Sequence, residues 1–202
     1  MTNVAIIYYS STGNLHEMAL RLEKAAGSEG ADVRRRHVTE IAPDAAVDSN
    51  PRWREHVDAI AAEPKAAPED IEWADVVLLG SPTRYGNVTS QFQQFVDTLG
   101  PLWAEGRLAD KVYAGFTSSQ TAHGGQESTL LSMYHAVAHF GGILVTPGYT
   151  DQLKFVDGNP YGVSHVSGAQ NDDPIDDGVL DALDHLAART IAISRRLTAE
   201  AA

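Results

Sequence analysis

The stretch that most restricts the fold lies at the start of the chain. A six-residue apolar run, Val4-Ala5-Ile6-Ile7-Tyr8-Tyr9, stops at Ser10-Ser11-Thr12-Gly13-Asn14. Leu15, Met18, Ala19, Leu22 and Ala26 then recur at helical spacing toward Gly27. A short run with no polar alternation is a strand covered on both faces, and such strands belong to parallel sheets flanked by helices. The spacing after Asn14 supplies the first covering helix. Few architectures accept a buried strand that turns into a helix within five residues.

The same pattern recurs down the chain. Strands are predicted at Asp32–Val38, Asp75–Gly80, Lys111–Phe116 and Ile143–Val145. Helices are marked by Phe92, Phe95, Val96 and Leu99, by Leu130 through Ala138 ending at Gly141-Gly142, and by Val179 through Ile191. Strands alternating with helices predict an α/β fold, a doubly wound five-stranded parallel sheet of order 2-1-3-4-5 in a single domain, 1–202. Residues 43–68 form an expected insertion with a loop and one short helix around Trp53 to Ile60, and Tyr149 to Pro174 an expected long loop. Such sheets bind ligands at the carboxyl ends of their strands. That places the expected site in three polar loops, Ser10–Asn14, Ser81–Asn87 and Thr117–Gly125.

Composition narrows the chemistry. A formal net charge of −12 argues against nucleic acid and against an anionic membrane surface. The chain has no cysteine, so disulfides, thiol nucleophiles, zinc–thiolate centres and cysteine-held iron–sulfur clusters are excluded. Redox chemistry would have to come from a bound organic group. No basic-then-apolar leader and no run of about 20 apolar residues stands in the sequence, so the expected location is the cytoplasm.

A strand, Ser-Ser-Thr-Gly-Asn and a helix form an anion-binding arrangement. Free amides at the helix start point outward, hydroxyls add donors, and Gly13 allows close approach of the backbone. The loop has no Lys or Arg, and neither a G-x-x-x-x-G-K-[ST] nor a G-x-G-x-x-G spacing is present. One phosphomonoester held by neutral donors fits better than a triphosphate or a dinucleotide. The competing reading is an ordinary Ser/Thr helix cap. His135 and His139 stand at i, i+4 without the Glu of H-E-x-x-H and read as a structural or solvent-facing pair. Asp176 and Asp177, with Asp172 and Asp173 nearby, read as a helix start rather than a calcium loop.

Several of these motifs resemble a known family. Ser10–Asn14 resembles the flavodoxin phosphate loop, and Ser81-Pro-Thr-Arg-Tyr-Gly-Asn87 the P-T-R-[FY]-G-N segment of WrbA-like NAD(P)H:quinone oxidoreductases. Leu102-Trp103, Gly124-Gly125-Gln126-Glu127 and Pro160-Tyr161-Gly162 match in order over nearly the whole chain. The resemblance implies a flavodoxin-like fold, bound FMN, NAD(P)H as co-substrate and a quinone as acceptor, in a dimeric or tetrameric homo-oligomer. It assigns Ser10, Ser11, Thr12, Gly13, Asn14 and Leu15 to the phosphate. Thr83, Arg84 and Tyr85 would line the flavin ring, with Pro82, Gly86 and Asn87 also binding the cofactor, and Tyr85 would bind substrate as well. Thr117, Ser118, Ser119, Thr121, Gly124 and Gly125 would contact the ring and ribityl chain. His139 matches a flavin-site histidine and Trp103 a substrate-pocket aromatic; packing in a core or subunit interface is the alternative for Trp103. His123 could pass a proton to a quinone oxygen, or be a loop histidine without chemistry. One departure stands out: Thr12 replaces the usual Tyr of the WrbA loop, as in electron-transfer flavodoxins. A flavodoxin that carries electrons between proteins, or a non-catalytic binding module, are therefore the alternative functions.

Overall fold

The computed structural model describes residues 1–199; the last three residues of the expected 1–202 domain lie outside them. The chain runs β1 (Asn3–Tyr8), α1 (Asn14–Ser28), β2 (Asp32–His37), α2 (Asp44–Val47), α3 (Pro51–Ala59), α4 (Pro68–Trp73) and β3 (Val76–Gly80). It continues through α5 (Ser90–Asp97), α6 (Gly100–Ala104), β4 (Val112–Ser119) and α7 (Gln126–Phe140). It closes with β5 (Ile143–Leu144), α8 (Lys154–Asp157), β6 (Val163–Val166) and α9 (Asp177–Ala199). The strands pair in parallel in the order β2-β1-β3-β4-β5, as the sequence pattern predicts.

Side chains on successive strand residues point to opposite faces. Val4, Ile6 and Tyr8 pack with Leu15, Met18 and Leu22 of α1 and with Leu183, Leu186 and Ile191 of α9. Ala5, Ile7 and Tyr9 pack with Ile71, Phe92 and Phe95 on the other face, joined by Leu130, Met133 and Val137 of α7. This double cover is why the central strands read as uninterrupted apolar runs. Edge strand β2 instead carries Arg34, Arg35 and Arg36, charges that discourage pairing with another chain. Arg35 bonds Glu23 at 2.8 Å and Glu63 at 2.5 Å, and Arg34 lies over the Trp73 ring at 4.1 Å.

Two expectations are corrected. The sheet has a sixth strand: β6 lies inside the expected Tyr149–Pro174 loop and pairs with β4 from Phe116↔Val163 to Ser119↔Val166. As a consequence β4 runs to Ser119 rather than ending at Phe116, so Thr117, Ser118 and Ser119 are buried strand residues, not loop residues. Short polar residues read as a loop, but the β6 ladder satisfies their backbone groups. β5 and β6 thus lie end to end along β4, separated by an insertion pinned by the fully buried Lys154. Its ammonium donates to Asp157 at 2.5 Å and to the Gly162 carbonyl at 3.2 Å.

Candidate functional site

At the carboxyl edge of the sheet lies a cleft of about 490 Å³. Its size falls within the ordinary range for a small-molecule site. Ser10, Ser11, Thr12, Asn14 and Leu15 line one part, Pro82, Thr83 and Arg84 another, and Ser118, Ser119 and Gln120 a third. The three predicted segments therefore do converge. Two further walls come from the insertions: Asn50 and Trp53 from the β2–β3 crossover, and Ala169, Gln170 and Asn171 from the segment after β6.

The first loop turns because Gly13 adopts φ +102, a conformation that side chains with a Cβ rarely take. Its own amide donates to Ser10 Oγ at 3.0 Å, and the Glu17 amide returns to the Gly13 carbonyl. The amides of Ser11, Thr12, Asn14 and Leu15 find no acceptor among the described residues. They are the orphan donors of a helix start, at its partially positive end, and they face a cleft. Among the described residues of its lining, Arg84 is the one charged side chain and no carboxylate or lysine competes for that space.

Trp53 was not among the expected site residues. Its indole N–H donates at 2.8 Å to Glu40, which also accepts from Tyr9 at 2.6 Å, from Gln91 at 2.7 Å and from the Ile41 and Ala42 amides. Burial alone would raise the Glu40 carboxyl, but the bonds from Tyr9, Gln91, Ala42 and Trp53 outweigh it and hold the group below its usual range. The ionised carboxylate is thus the node that fixes the crossover against β1 and α5. A lone Glu before a polar loop carried no signal of that role.

His56 of α3 lies behind the loop. A Cβ added to Gly13 would sit 3.9 Å from its Nδ1, and its Nε2 is buried without a partner among the described residues. Desolvation, with the nearby His16 and His37, lowers the imidazole to a pKa of about 4.

Other expected residues fall outside the cleft lining. Tyr85 projects fully into solvent (103% relative exposure) with φ +53, at the tip of a turn closed by the Arg84–Asn87 backbone pair. Asn87 flanks that turn and accepts from Ser132 at 3.1 Å. Gly86 and Gly125 serve loop packing: a Cβ on Gly125 would meet the Gly86 Cα at 2.9 Å. A Cβ on Gly124 would strike Ser119 at 2.5 Å. The carbonyl of Thr121 accepts from Ser119 and Gln126, and His123 is exposed in the same turn. Thr117 is buried and donates to the Ser81 carbonyl at 2.7 Å. Trp103 and His139 are brought together, but at the opposite edge of the sheet. There the Trp103 indole donates to the His139 carbonyl at 2.8 Å, at the end of a helix some 20 Å long. Asp176 Oδ1 caps α9 by accepting from the Val179 amide, as the helix-start reading expects.

An open parallel sheet of order β2-β1-β3-β4-β5 with a polar cleft at its carboxyl edge defines a flavodoxin-like fold. A family model described as NADPH-dependent FMN reductase matches residues 2–150. An NAD(P)H dehydrogenase (quinone) of Deinococcus radiodurans is 44% identical over 168 residues, covering 83% of this chain and 84% of the relative. One from Sinorhizobium fredii is 34% identical over 204 residues, covering 98% and 99%. Among solved structures, a WrbA-like flavodoxin from Agrobacterium tumefaciens superposes with a TM-score of 0.67 at 21% identity, over 97% of this chain and 99% of that one. The chain belongs to the NADPH-dependent FMN reductase family.

Proposed function

We propose that this protein is an FMN-dependent oxidoreductase that passes two electrons from NAD(P)H to a quinone. The observation that carries the reading is the carboxyl-edge cleft, with four open amides at one end and Thr83, Arg84, Ser118 and Ser119 along the rest. The relatives named NAD(P)H dehydrogenase (quinone) support the same activity. FMN, when bound, supplies a centre that takes up a hydride and gives the electrons on as a pair.

The residues present fit such a group. Ser11, Thr12, Asn14 and Leu15 offer amides to one phosphomonoester, and Ser10 and Thr12 are placed beside them to add hydroxyls. Trp53, held by Glu40, gives the cleft an aromatic wall. Pro82, Thr83 and Arg84 lie across from it, and Arg84 supplies local positive charge to a chain whose net charge is −12. That charge favours an anionic co-substrate at the open side. Tyr85, Asn87 and His123 stand on the exposed turns next to these segments, where an entering substrate would meet them. With one open site, NAD(P)H and quinone would use it in turn.

The reading extends to assembly and place. Tyr149 stacks on Phe155 with centroids 4.8 Å apart, and Phe155 and its neighbour Val156 remain 63% and 74% exposed. We assign this aromatic surface, with exposed Trp103, to contacts between copies in a dimer or tetramer. No described helix is long and apolar enough to cross a membrane; we place the protein in the cytoplasm, as one domain over residues 1–202.

The test loads the purified protein with FMN and varies NADH or NADPH against benzoquinone. Parallel double-reciprocal lines are expected. FMN bound without NAD(P)H oxidation would make the protein a carrier, and no flavin affinity would leave a binding module.

A further inference from the structure

We propose that Asn171 is a positioning residue for the anion cradle: it fixes the Thr12 hydroxyl as an acceptor on one side, so that its proton is left for the phosphate. The inference rests on reading the cleft as an FMN site.

The hydrogen-bond polarity can be followed atom by atom. The Asn171 backbone carbonyl can only accept, and Asn14 Nδ2 faces it at 3.3 Å. That end of the Asn14 amide is therefore the donor. The same Nδ2 lies 3.0 Å from the Asn171 side-chain amide, which must present its oxygen there. Ser167 Oγ approaches that oxygen as well, at 2.5 Å. The other end of the Asn171 amide is then the nitrogen, and it donates to Thr12 Oγ1. Thr12 Oγ1 has no acceptor of its own among the described residues, and Thr12 lines the cleft. A hydroxyl that accepts from one side keeps one proton to give. The open direction is the cleft, which the free amides of Ser11, Thr12, Asn14 and Leu15 share.

The strap that carries Asn171 is held from three sides. The Ser167 amide donates to the Ser119 carbonyl at the end of β4 at 2.8 Å, and the Asp173 amide to the Ser167 carbonyl at 3.0 Å. Arg52 of α3 donates to the Gln170 carbonyl at 3.3 Å. Asn171 itself takes φ +61, a left-handed conformation that Asn and Asp accept more readily than other residues bearing a Cβ. The pattern restricts the position to a side chain that both donates and accepts.

The experiment titrates FMN and riboflavin side by side into the full chain, for wild type, Asn171→Asp, Asn171→Gly, Thr12→Val and the Thr12→Val/Asn171→Gly double variant. The Asp carboxylate only accepts, so it draws the Thr12 proton to itself. Asn171→Asp should weaken FMN binding by about tenfold or more and leave riboflavin within about twofold. Asn171→Gly keeps the positive φ and should weaken FMN by about fivefold in wild type, with no further loss once Thr12 is Val. The proposal is overturned if FMN and riboflavin weaken equally, or if the Gly effect is unchanged in the Thr12→Val background. If wild type itself binds FMN no more tightly than riboflavin, the phosphate reading of the cleft fails first, a result distinct from failure of the Asn171 role alone.

Discussion

The two edges of this sheet are built from the same strands and differ in what they do with polar groups. At the amino edge, donors and acceptors are closed on one another. Lys111 Nζ donates to the Glu72 and Ala74 carbonyls at 2.8 and 2.7 Å, the Asn3 amide to Asp75 at 2.8 Å, and Tyr113 to the Leu108 carbonyl at 2.9 Å. At the carboxyl edge, the amides of Ser11, Thr12, Asn14 and Leu15 are left open over a cleft, and a histidine is buried beneath them. An unsatisfied buried donor costs about 1–3 kcal/mol, so leaving several together is destabilising unless water or a ligand takes them. One edge closes its polar groups on one another and the other leaves them open to a cleft.

The largest expected break of this contrast is Gly13→Val. The residue sits at φ +102, and the new methyls would press toward His56, whose Nδ1 already lies 3.9 Å from a Cβ there. FMN affinity should fall about 100-fold, roughly 3 kcal/mol, and riboflavin affinity clearly less, by flavin fluorescence titration. Equal losses for both ligands would contradict the phosphate assignment.

The next effect is one of pH. His56 has its folded pKa depressed to about 4 by burial, with His16 and His37 adding to the shift. Below its ordinary value of 6.5 the unfolded chain takes up a proton that the folded protein does not. Stability is therefore complete above about pH 6.5 and declines as pH falls toward 4. His56→Phe should remove about 2 kcal/mol of the loss between pH 7.5 and 5 in urea unfolding. An unchanged pH slope would show that His56 takes up its proton alike in the folded and unfolded chains.

At the amino edge, Lys111→Met should cost about 1–2 kcal/mol of unfolding free energy by stranding two carbonyls, with FMN affinity of the folded protein unchanged. A matching loss of FMN affinity would mean the edges are coupled. Trp103→Phe has the smallest expected effect, under about 1 kcal/mol from one exposed hydrogen bond. Its FMN affinity should be that of wild type; a raised quinone KM would sharpen the picture by placing Trp103 in a site shared between copies.

Much of the architecture could be read from residues alone, because double burial writes itself into the sequence. Ile6 and Ile7 face different cores yet both must be apolar, and the same holds for Val76 through Leu79. That Ser10–Asn14 would open onto a cleft at the sheet edge was legible because glycine and short hydroxyl residues stand there between a strand and a helix. What escaped were features set by distant partners. Ser118 and Ser119 became strand only because Val163–Val166 pairs with them across the sheet. Trp53 and Asn171 reach the cleft through insertions whose composition resembles any polar loop, and Glu40 acts only by holding Trp53. Trp103 and His139 matched motifs, but helix length carries them to the far edge.

The most direct measurement of the central claim is the amide chemical-shift change on adding FMN to isotope-labelled protein, with riboflavin as control. The account predicts the largest FMN-specific shifts at Ser11, Thr12, Asn14 and Leu15, and none at Leu108 to Lys111. FMN-specific shifts centred at the amino edge would contradict it.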